Sequence, residues 1–107
     1  YAEYTVLPKE IVFPFESTLP WEELGAFPEM FQTVFGSLHF ALNIVKGETI
    51  LIRGGTSSIG MLATQIAKNY GLTVVATTRH IEKQNILFNN GACEVVIDDG
   101  QLSGRIK

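Results

Sequence analysis

The sequence has a single cysteine, Cys93, which excludes an internal disulfide and favours a reducing compartment. It also has few basic residues, with 8 Lys and Arg against 11 Asp and Glu and a net charge of -3. The charge balance therefore gives no reason to expect binding to nucleic acid or to an anionic membrane. No apolar run approaches the roughly 20 residues that span a bilayer, and the N-terminus lacks the basic and apolar parts of a signal peptide. These absences predict a cytoplasmic protein that binds neither nucleic acid nor membrane.

The first 14 residues differ in character from the rest of the chain. They contain two β-prone pieces, Tyr4–Leu7 and Ile11–Phe13, and neither piece has a partner strand within so short a segment. The sequence begins without methionine, and its 107 residues allow one domain with a modest core. We therefore expect a fragment of a longer protein, with residues 1–14 as the tail of a preceding domain.

The centre of the sequence alternates apolar runs with turn signals. A short apolar run at Thr49–Ile52 is followed by a turn rich in glycine. Apolar residues at helical spacing then extend over Ser58–Tyr70, and a second β-branched run occupies Thr73–Thr78. This order of strand, glycine turn, helix and strand predicts a βαβ unit, of the kind that binds nucleotides.

The flanking segments extend this unit into a larger α/β fold. We predict a short helix over residues 17–25, a longer helix over residues 31–45 with a bend at Gly36–Ser37, and a helix over residues 82–90. A third apolar run at residues 93–97 is typical of a buried parallel strand. The predicted fold is a partial Rossmann fold, with three parallel strands and flanking helices after a short β-rich tail.

The glycine turn is typical of a phosphate-binding loop, although several classes of such loops overlap here. Its spacing fits a P-loop, but Met61 stands where that motif requires lysine, which disfavours a nucleoside triphosphatase. Glycines let the backbone approach a pyrophosphate, and the N–H groups that open the next helix point towards the anion. The predicted phosphate-binding residues are Gly54, Gly55, Thr56, Ser57, Ser58, Ile59 and Gly60. The alternative is a tight turn that binds no ligand.

The end of the second strand indicates which dinucleotide is bound. NAD-specific folds carry an acidic residue there, which bonds the ribose 2′-hydroxyl. This strand instead ends at Thr78 and Arg79, and Lys83 follows closely. A guanidinium can hold a 2′-phosphate through its planar fork, so we predict NADP(H), with Arg79 as the main contact and Thr78 and Lys83 as helpers. The alternative is an Arg and a Lys that are simply solvated.

Four stretches, taken in order, resemble the medium-chain dehydrogenase/reductase superfamily and, within it, the zinc-free NADPH-dependent quinone oxidoreductases. They read Y-A-E-Y-T-V-L-P, W-E-E-L-G-A-F-P-E-M-F-Q-T-V-F-G-S-L, K-G-E-T-I-L-I-R-G-G-T-S-S-I-G and V-V-A-T-T-R-H-I-E-K. The resemblance implies that residues 1–14 end a GroES-like catalytic domain and that residues 15–107 form the N-terminal half of a dinucleotide-binding Rossmann domain. It implies hydride transfer from NADPH to a quinone, an enone or a related carbonyl compound, without zinc.

The resemblance also assigns individual residues. Thr33 corresponds to a threonine near the nicotinamide, and Arg79 with Lys83 corresponds to the site of the adenosine phosphate. The three-glycine pattern of the family falls on Gly54, Ser57 and Gly60. The sequence departs from the family where Ser57 and Ser58 replace a glycine pair, and where Val34 follows Thr33 in place of alanine. The family's substrate-contacting residues and any zinc ligands correspond to positions before Tyr1, so the catalytic residues are unknown.

Two other interpretations are compatible with the sequence. Short-chain dehydrogenases have a similar T-G-x-x-x-G-I-G turn, which the sequence matches except for Arg53 and Ser58. In that family, however, the turn lies near the chain start, whereas more than fifty residues precede it here. The second interpretation is a non-catalytic dinucleotide-binding module, because this stretch supplies no general acid or base.

The predicted strand order also bears on self-association. In a doubly wound sheet the strand Thr49–Ile52 is central, yet the sequence provides a neighbour on one side only. An open row of backbone donors and acceptors is a template for pairing with another chain. We therefore predict a homodimer or another form of self-association.

Overall fold

The computed structural model describes residues 2–105. Residue 1, which begins the predicted segment 1–14, lies outside the described residues. The same holds for residues 106–107, which end the predicted segment 15–107. The helices are α1 (Trp21–Phe35), α2 (Ser58–Asn69), α3 (Gln84–Asn90) and α4 (Leu102–Arg105), with a π-helical turn at Gly36–Ala41 and 3-10 turns at Lys9–Ile11 and Ile81–Lys83. The strands are β1 (Thr49–Ile52), β2 (Thr73–Thr78) and β3 (Glu94–Ile97).

The three strands of the described residues form one parallel sheet in the order β1-β2-β3. Thr49 of β1 lies opposite Thr73, and Val75 of β2 lies opposite Glu94 of β3. The central strand β2 therefore bonds to a neighbour on each side. The predicted α/β fold with three parallel strands and flanking helices is confirmed.

One face of the sheet carries the main hydrophobic core. The buried residues Ile50, Ile52 and Val74 pack with residues of the helices. The helical side of this cluster consists of Val34, Leu38, Ala67 and the partly buried Leu62, Ala63 and Ile66. Leu51 points to the opposite face and is 42% exposed, so the helices cover this part of the sheet from one side.

The prediction of two separate helices before the sheet was wrong. The backbone N–H groups of Glu23 and Leu24 both donate to the Pro20 carbonyl, and α1 then continues through Pro28 to Phe35. A proline in a helix interior removes a donor and usually costs about 3 kcal/mol, yet the helix continues on both sides of Pro28.

The bend expected at Gly36–Ser37 takes the form of the π-helical turn. The Ser37 hydroxyl donates to the Thr33 carbonyl at 2.9 Å, and the Leu42 N–H donates to the Ser37 carbonyl at 3.0 Å. A hydroxyl that donates to a carbonyl of the preceding turn often bends a helix. Here the wider π-helical turn lies at the same position.

The β-prone pieces of the first 14 residues form no strand within the described part of the chain. Val12 has extended backbone angles, and the regular structure nearby is the 3-10 turn at Lys9–Ile11. Tyr4 and Val6 are 89% and 98% exposed. Because a strand needs a neighbour for its backbone hydrogen bonds, β-prone composition alone does not produce one here.

Candidate functional site

A cleft of about 580 Å³ opens at the carboxyl ends of the three strands. Arg53 follows β1, Arg79 follows β2 and Asp98 follows β3. The cleft is lined by Arg53, Gly54, Thr56, Ser57, Thr77, Thr78, Arg79, His80, Lys83 and Asp98. Open parallel sheets bind their ligands in the crevice outside the carboxyl ends of the strands, so this cleft is the candidate site.

The glycine turn is held in place by the end of β2. Gly54 has a φ of 69°, in the left-handed region that favours glycine. Its N–H donates to the Thr77 hydroxyl at 3.1 Å, and the N–H of Gly55 donates to the Thr77 carbonyl at 2.8 Å. Thr77 itself is 1% exposed. A buried threonine on β2 therefore fixes the position of the turn that follows β1.

Two further glycines are required by close packing. A Cβ atom on Gly60 would meet the Gly54 carbonyl oxygen and would lie 2.9 Å from the Gly55 Cα. A Cβ on Gly55 would lie 3.0 Å from both the Ala76 Cβ and the Leu87 Cδ2. The absence of side chains thus lets the first turn of α2 lie directly against the glycine turn.

Ser57 caps helix α2. Its hydroxyl accepts from the Gly60 N–H at 3.0 Å and donates to the Gly54 carbonyl at 2.9 Å. The N–H groups of Ser58 and Ile59 belong to the first turn of the helix, where no intrahelical acceptor exists. A helix start of this kind can hold an anion at its N-terminus.

Two cationic side chains and a histidine lie on the other side of the cleft. Arg79 and Lys83 line it, as does His80, whose Nδ1 lies 3.3 Å from a carboxylate oxygen of Glu82. The Thr78 hydroxyl accepts from the His80 N–H at 3.2 Å, so this threonine shapes the turn that carries the cations.

An ion pair that the sequence did not predict crosses the cleft. Arg53 Nε donates to Asp98 Oδ2 at 2.9 Å. This bond and the Gly100 N–H hold the pKa of the Asp98 carboxyl below its ordinary value, and the charge of Arg79 acts in the same direction. Asp98 is therefore ionised at neutral pH. The pair joins residues 45 positions apart, which explains why no local pattern revealed it.

The structure brings most of the predicted site residues together. Those that line the cleft are Gly54, Thr56, Ser57, Thr78, Arg79 and Lys83. Gly55 is buried in the turn, and Ser58, Ile59 and Gly60 form the first turn of α2 beside it. Thr33 is different, because it lies on α1 with an exposed side chain and does not line the cleft.

Residues 2–105 contain neither a metal-binding cluster nor a membrane-spanning helix. No group of three or more His, Cys, Asp or Glu side chains there could share a metal ion. No helix of the described chain combines the length and the apolar character needed to cross a bilayer.

The sheet order, the crossover helices and the glycine turn define a Rossmann-type fold. The quinone oxidoreductase of Pseudomonas syringae pv. Tomato DC3000 has this fold, with a TM-score of 0.82 and 25% identity over 94% of this chain and 31% of that one. Escherichia coli quinone oxidoreductase, solved in complex with NADPH, shares the fold with a TM-score of 0.75 and 24% identity over 83% of this chain and 28% of that one.

The sequence shows the same relationship. The quinone oxidoreductase of Pongo abelii is 33% identical over 95 residues, which are 89% of this chain and 29% of that protein. The chain belongs to the medium-chain dehydrogenase/reductase superfamily, in its quinone oxidoreductase-like branch. It spans less than a third of the length of the relatives it matches. No protein-family model matches it. The short-chain dehydrogenase alternative is set aside.

Proposed function

We propose that the chain binds the adenosine-phosphate half of NADP(H) in the cleft beside the glycine turn. We propose further that the complete protein is an oxidoreductase that transfers hydride from NADPH to a quinone, an enone or a related carbonyl compound. The name of the relatives, quinone oxidoreductase, supports this substrate class. The nicotinamide supplies the hydride, whereas the residues of this chain bind and orient the cofactor.

The residues of the cleft fit a dinucleotide phosphate. The positive φ of Gly54 and the contact of Gly60 with the turn bring backbone and helix start close together. A pyrophosphate at this point would meet the first N–H groups of α2 and the hydroxyl group of Thr56. The Ser57 hydroxyl, whose one proton bonds the Gly54 carbonyl, holds the turn in shape beside it. We propose that these residues, together with Gly55, Ser58 and Ile59, form the pyrophosphate site.

The position of Arg79 carries the choice of NADP(H). Arg79 directly follows β2, where the adenosine ribose lies in folds of this type, and it shares the cleft with Lys83. A guanidinium at this point can form two charged hydrogen bonds to a 2′-phosphate. We assign Arg79 to the 2′-phosphate, with Lys83 and Thr78 in support.

Arg79→Ala tests the cofactor choice. We expect weaker NADPH binding by ~1.5–3 kcal/mol, the scale of a charged hydrogen bond, and nearly unchanged NADH binding. The dissociation constants of both cofactors, measured by titration calorimetry, check this. Lys46→Ala is the matched control, since Lys46 precedes β1 and so lies at the opposite end of the sheet. Equal losses for both cofactors would show that Arg79 does not contact the 2′-phosphate.

The remaining assignments rest on the family. We propose that residues 1–14 end the GroES-like catalytic domain and that residues 15–107 begin the Rossmann domain. Thr33 is assigned to the neighbourhood of the nicotinamide, at a distance from the adenosine end. We propose a cytoplasmic location, which the single cysteine favours.

We also propose that this chain self-associates, most simply as a homodimer. Within residues 2–105, β1 pairs only with β2, so the outer backbone groups of β1 form an open edge beside the exposed Leu51. Such an edge is a template for pairing with a second chain.

Light scattering on the 107-residue chain measures this association. We expect a mass above that of the monomer at high micromolar concentration, and a lower mass for Leu51→Lys, because a charge on an edge strand opposes pairing. A monomer that unfolds cooperatively under the same conditions would contradict the open-edge proposal.

A further inference from the structure

The Arg53–Asp98 ion pair joins two partners of very different exposure. The Arg53 side chain is 72% exposed, whereas that of Asp98 is 10% exposed. Both residues line the cleft that also contains Arg79. The arginine thus lies over a largely buried carboxylate at the edge of the proposed phosphate site.

The carboxylate is a problem for the proposed ligand. Asp98 is ionised: its hydrogen bond with Arg53 is the main cause of its lowered pKa, and the charge of Arg79 makes a smaller contribution in the same direction. The negative charge of Asp98 acts on Arg79 in turn, so it offsets part of the positive electrostatic potential that Arg79 gives the cleft. An ionised carboxylate that lines the same cleft also repels a 2′-phosphate.

Resting on the function proposed above, we propose that Arg53 is a positioning residue that masks Asp98 and so permits a 2′-phosphorylated adenosine to bind at Arg79. The Arg53 Nε donates to one carboxylate oxygen of Asp98, and the Gly100 N–H donates to the other at 3.2 Å. With its charge compensated in this way, Asp98 neither repels the 2′-phosphate nor draws Arg79 away from it. Cofactor preference then depends on three side chains, one after each strand.

The rival interpretation is that Arg53 contacts the phosphate itself and that Asp98 only orients it. The two interpretations differ in what happens when the acid is removed. If Arg53 masks Asp98, neutralising Asp98 makes Arg53 dispensable. If Arg53 binds the phosphate, its loss weakens binding whether or not the acid is present.

The test is a double-substitution cycle read by direct binding. Adenosine 2′,5′-bisphosphate and 5′-AMP, which differ by the 2′-phosphate, are titrated by calorimetry at low ionic strength. The proteins are the unsubstituted chain, Arg53→Gln, Asp98→Asn and their combination, with Arg53→Lys as a charge-conserving variant. Lys46→Gln controls for the loss of one positive charge away from the cleft, and circular dichroism verifies that each variant is folded.

We expect Arg53→Gln to weaken the bisphosphate roughly tenfold, the scale of one uncompensated charge near a protein surface, and to affect 5′-AMP less. Asp98→Asn should bind the bisphosphate at least as tightly as the unsubstituted chain, and the combined variant should bind it equally well. Arg53→Lys should keep most of the affinity. The Lys46→Gln control should bind normally.

A combined variant as weak as Arg53→Gln would overturn the masking role and assign Arg53 to the phosphate. Unchanged binding by Arg53→Gln would also overturn it. In both cases, a loss of bisphosphate binding in Arg79→Ala would leave the proposed function intact. No binding of the bisphosphate by the unsubstituted chain would overturn both proposals.

Discussion

Replacement of Gly60 by alanine is expected to lower the free energy of unfolding by about 2 kcal/mol. The added Cβ would meet the backbone of Gly54 and Gly55, which cannot rotate away as a side chain could. Overpacking of this kind costs roughly 3 kcal/mol at the upper end of its usual range, and alanine returns up to about 1 kcal/mol of helix propensity. Urea unfolding followed by circular dichroism measures the difference. The same variant should bind NADPH more weakly, because the first turn of α2 must move away from the glycine turn.

Gly25→Ala is the matched control. Gly25 also lies within a helix, α1, but nothing lies within 4 Å of the place its Cβ would occupy. Only the higher helix propensity of alanine then changes the stability, and the free energy of unfolding should rise by up to about 1 kcal/mol. The two substitutions are chemically the same and are expected to have opposite signs. Equal effects would mean that the close contact at Gly60 does not exist.

Leu87→Ala is expected to cost about 3 kcal/mol of stability, within the range for a large buried aliphatic side chain. Leu87 of α3 is fully buried and packs with Ala76, Ala92 and Val95. It also lies directly against Gly55, so it supports the glycine turn from within. Its removal leaves a cavity that these small neighbours cannot fill.

The adjacent Ile86 provides the comparison for this second prediction. It belongs to the same helix and is 48% exposed, so Ile86→Ala should cost less than about 1 kcal/mol. Thermal and urea unfolding of both variants measure the contrast. Similar losses at the two positions would contradict the assignment of Leu87 to the support of the site.

The sequence predicted β1 and β2 to the residue because β1 is a short apolar run and β2 a β-branched run, each between turn signals. It was less successful with α1, since two helices were predicted, over residues 17–25 and 31–45, where one helix runs through Gly25 and Pro28. Local propensity is a weak guide where packing over a whole helix decides the outcome. Strand β3 begins one residue later than predicted and is partly buried, whereas a buried strand was expected. Cys93, which precedes it, is exposed.

In the candidate site, too, the features set by local sequence could be predicted and those set by contacts between distant residues could not. The glycine turn and Arg79 could be predicted because their spacing within one βαβ unit is local. Thr77 and Asp98 could not, since their roles arise from bonds to Gly54 and Arg53, which are distant in sequence. Residues that act across strands become visible only when the register of the sheet is known.

The central place of β2 has a consequence for local opening of the protein. Its amides bond to β1 and β3, while Thr77 at its end holds the glycine turn through two further hydrogen bonds. Amide protons of β2 should therefore exchange with solvent only in openings as large as global unfolding, whereas in the monomer the outer amides of β1 exchange freely. The glycine turn belongs to the same cooperative unit as the core strand, so the phosphate site stays formed for as long as the sheet does.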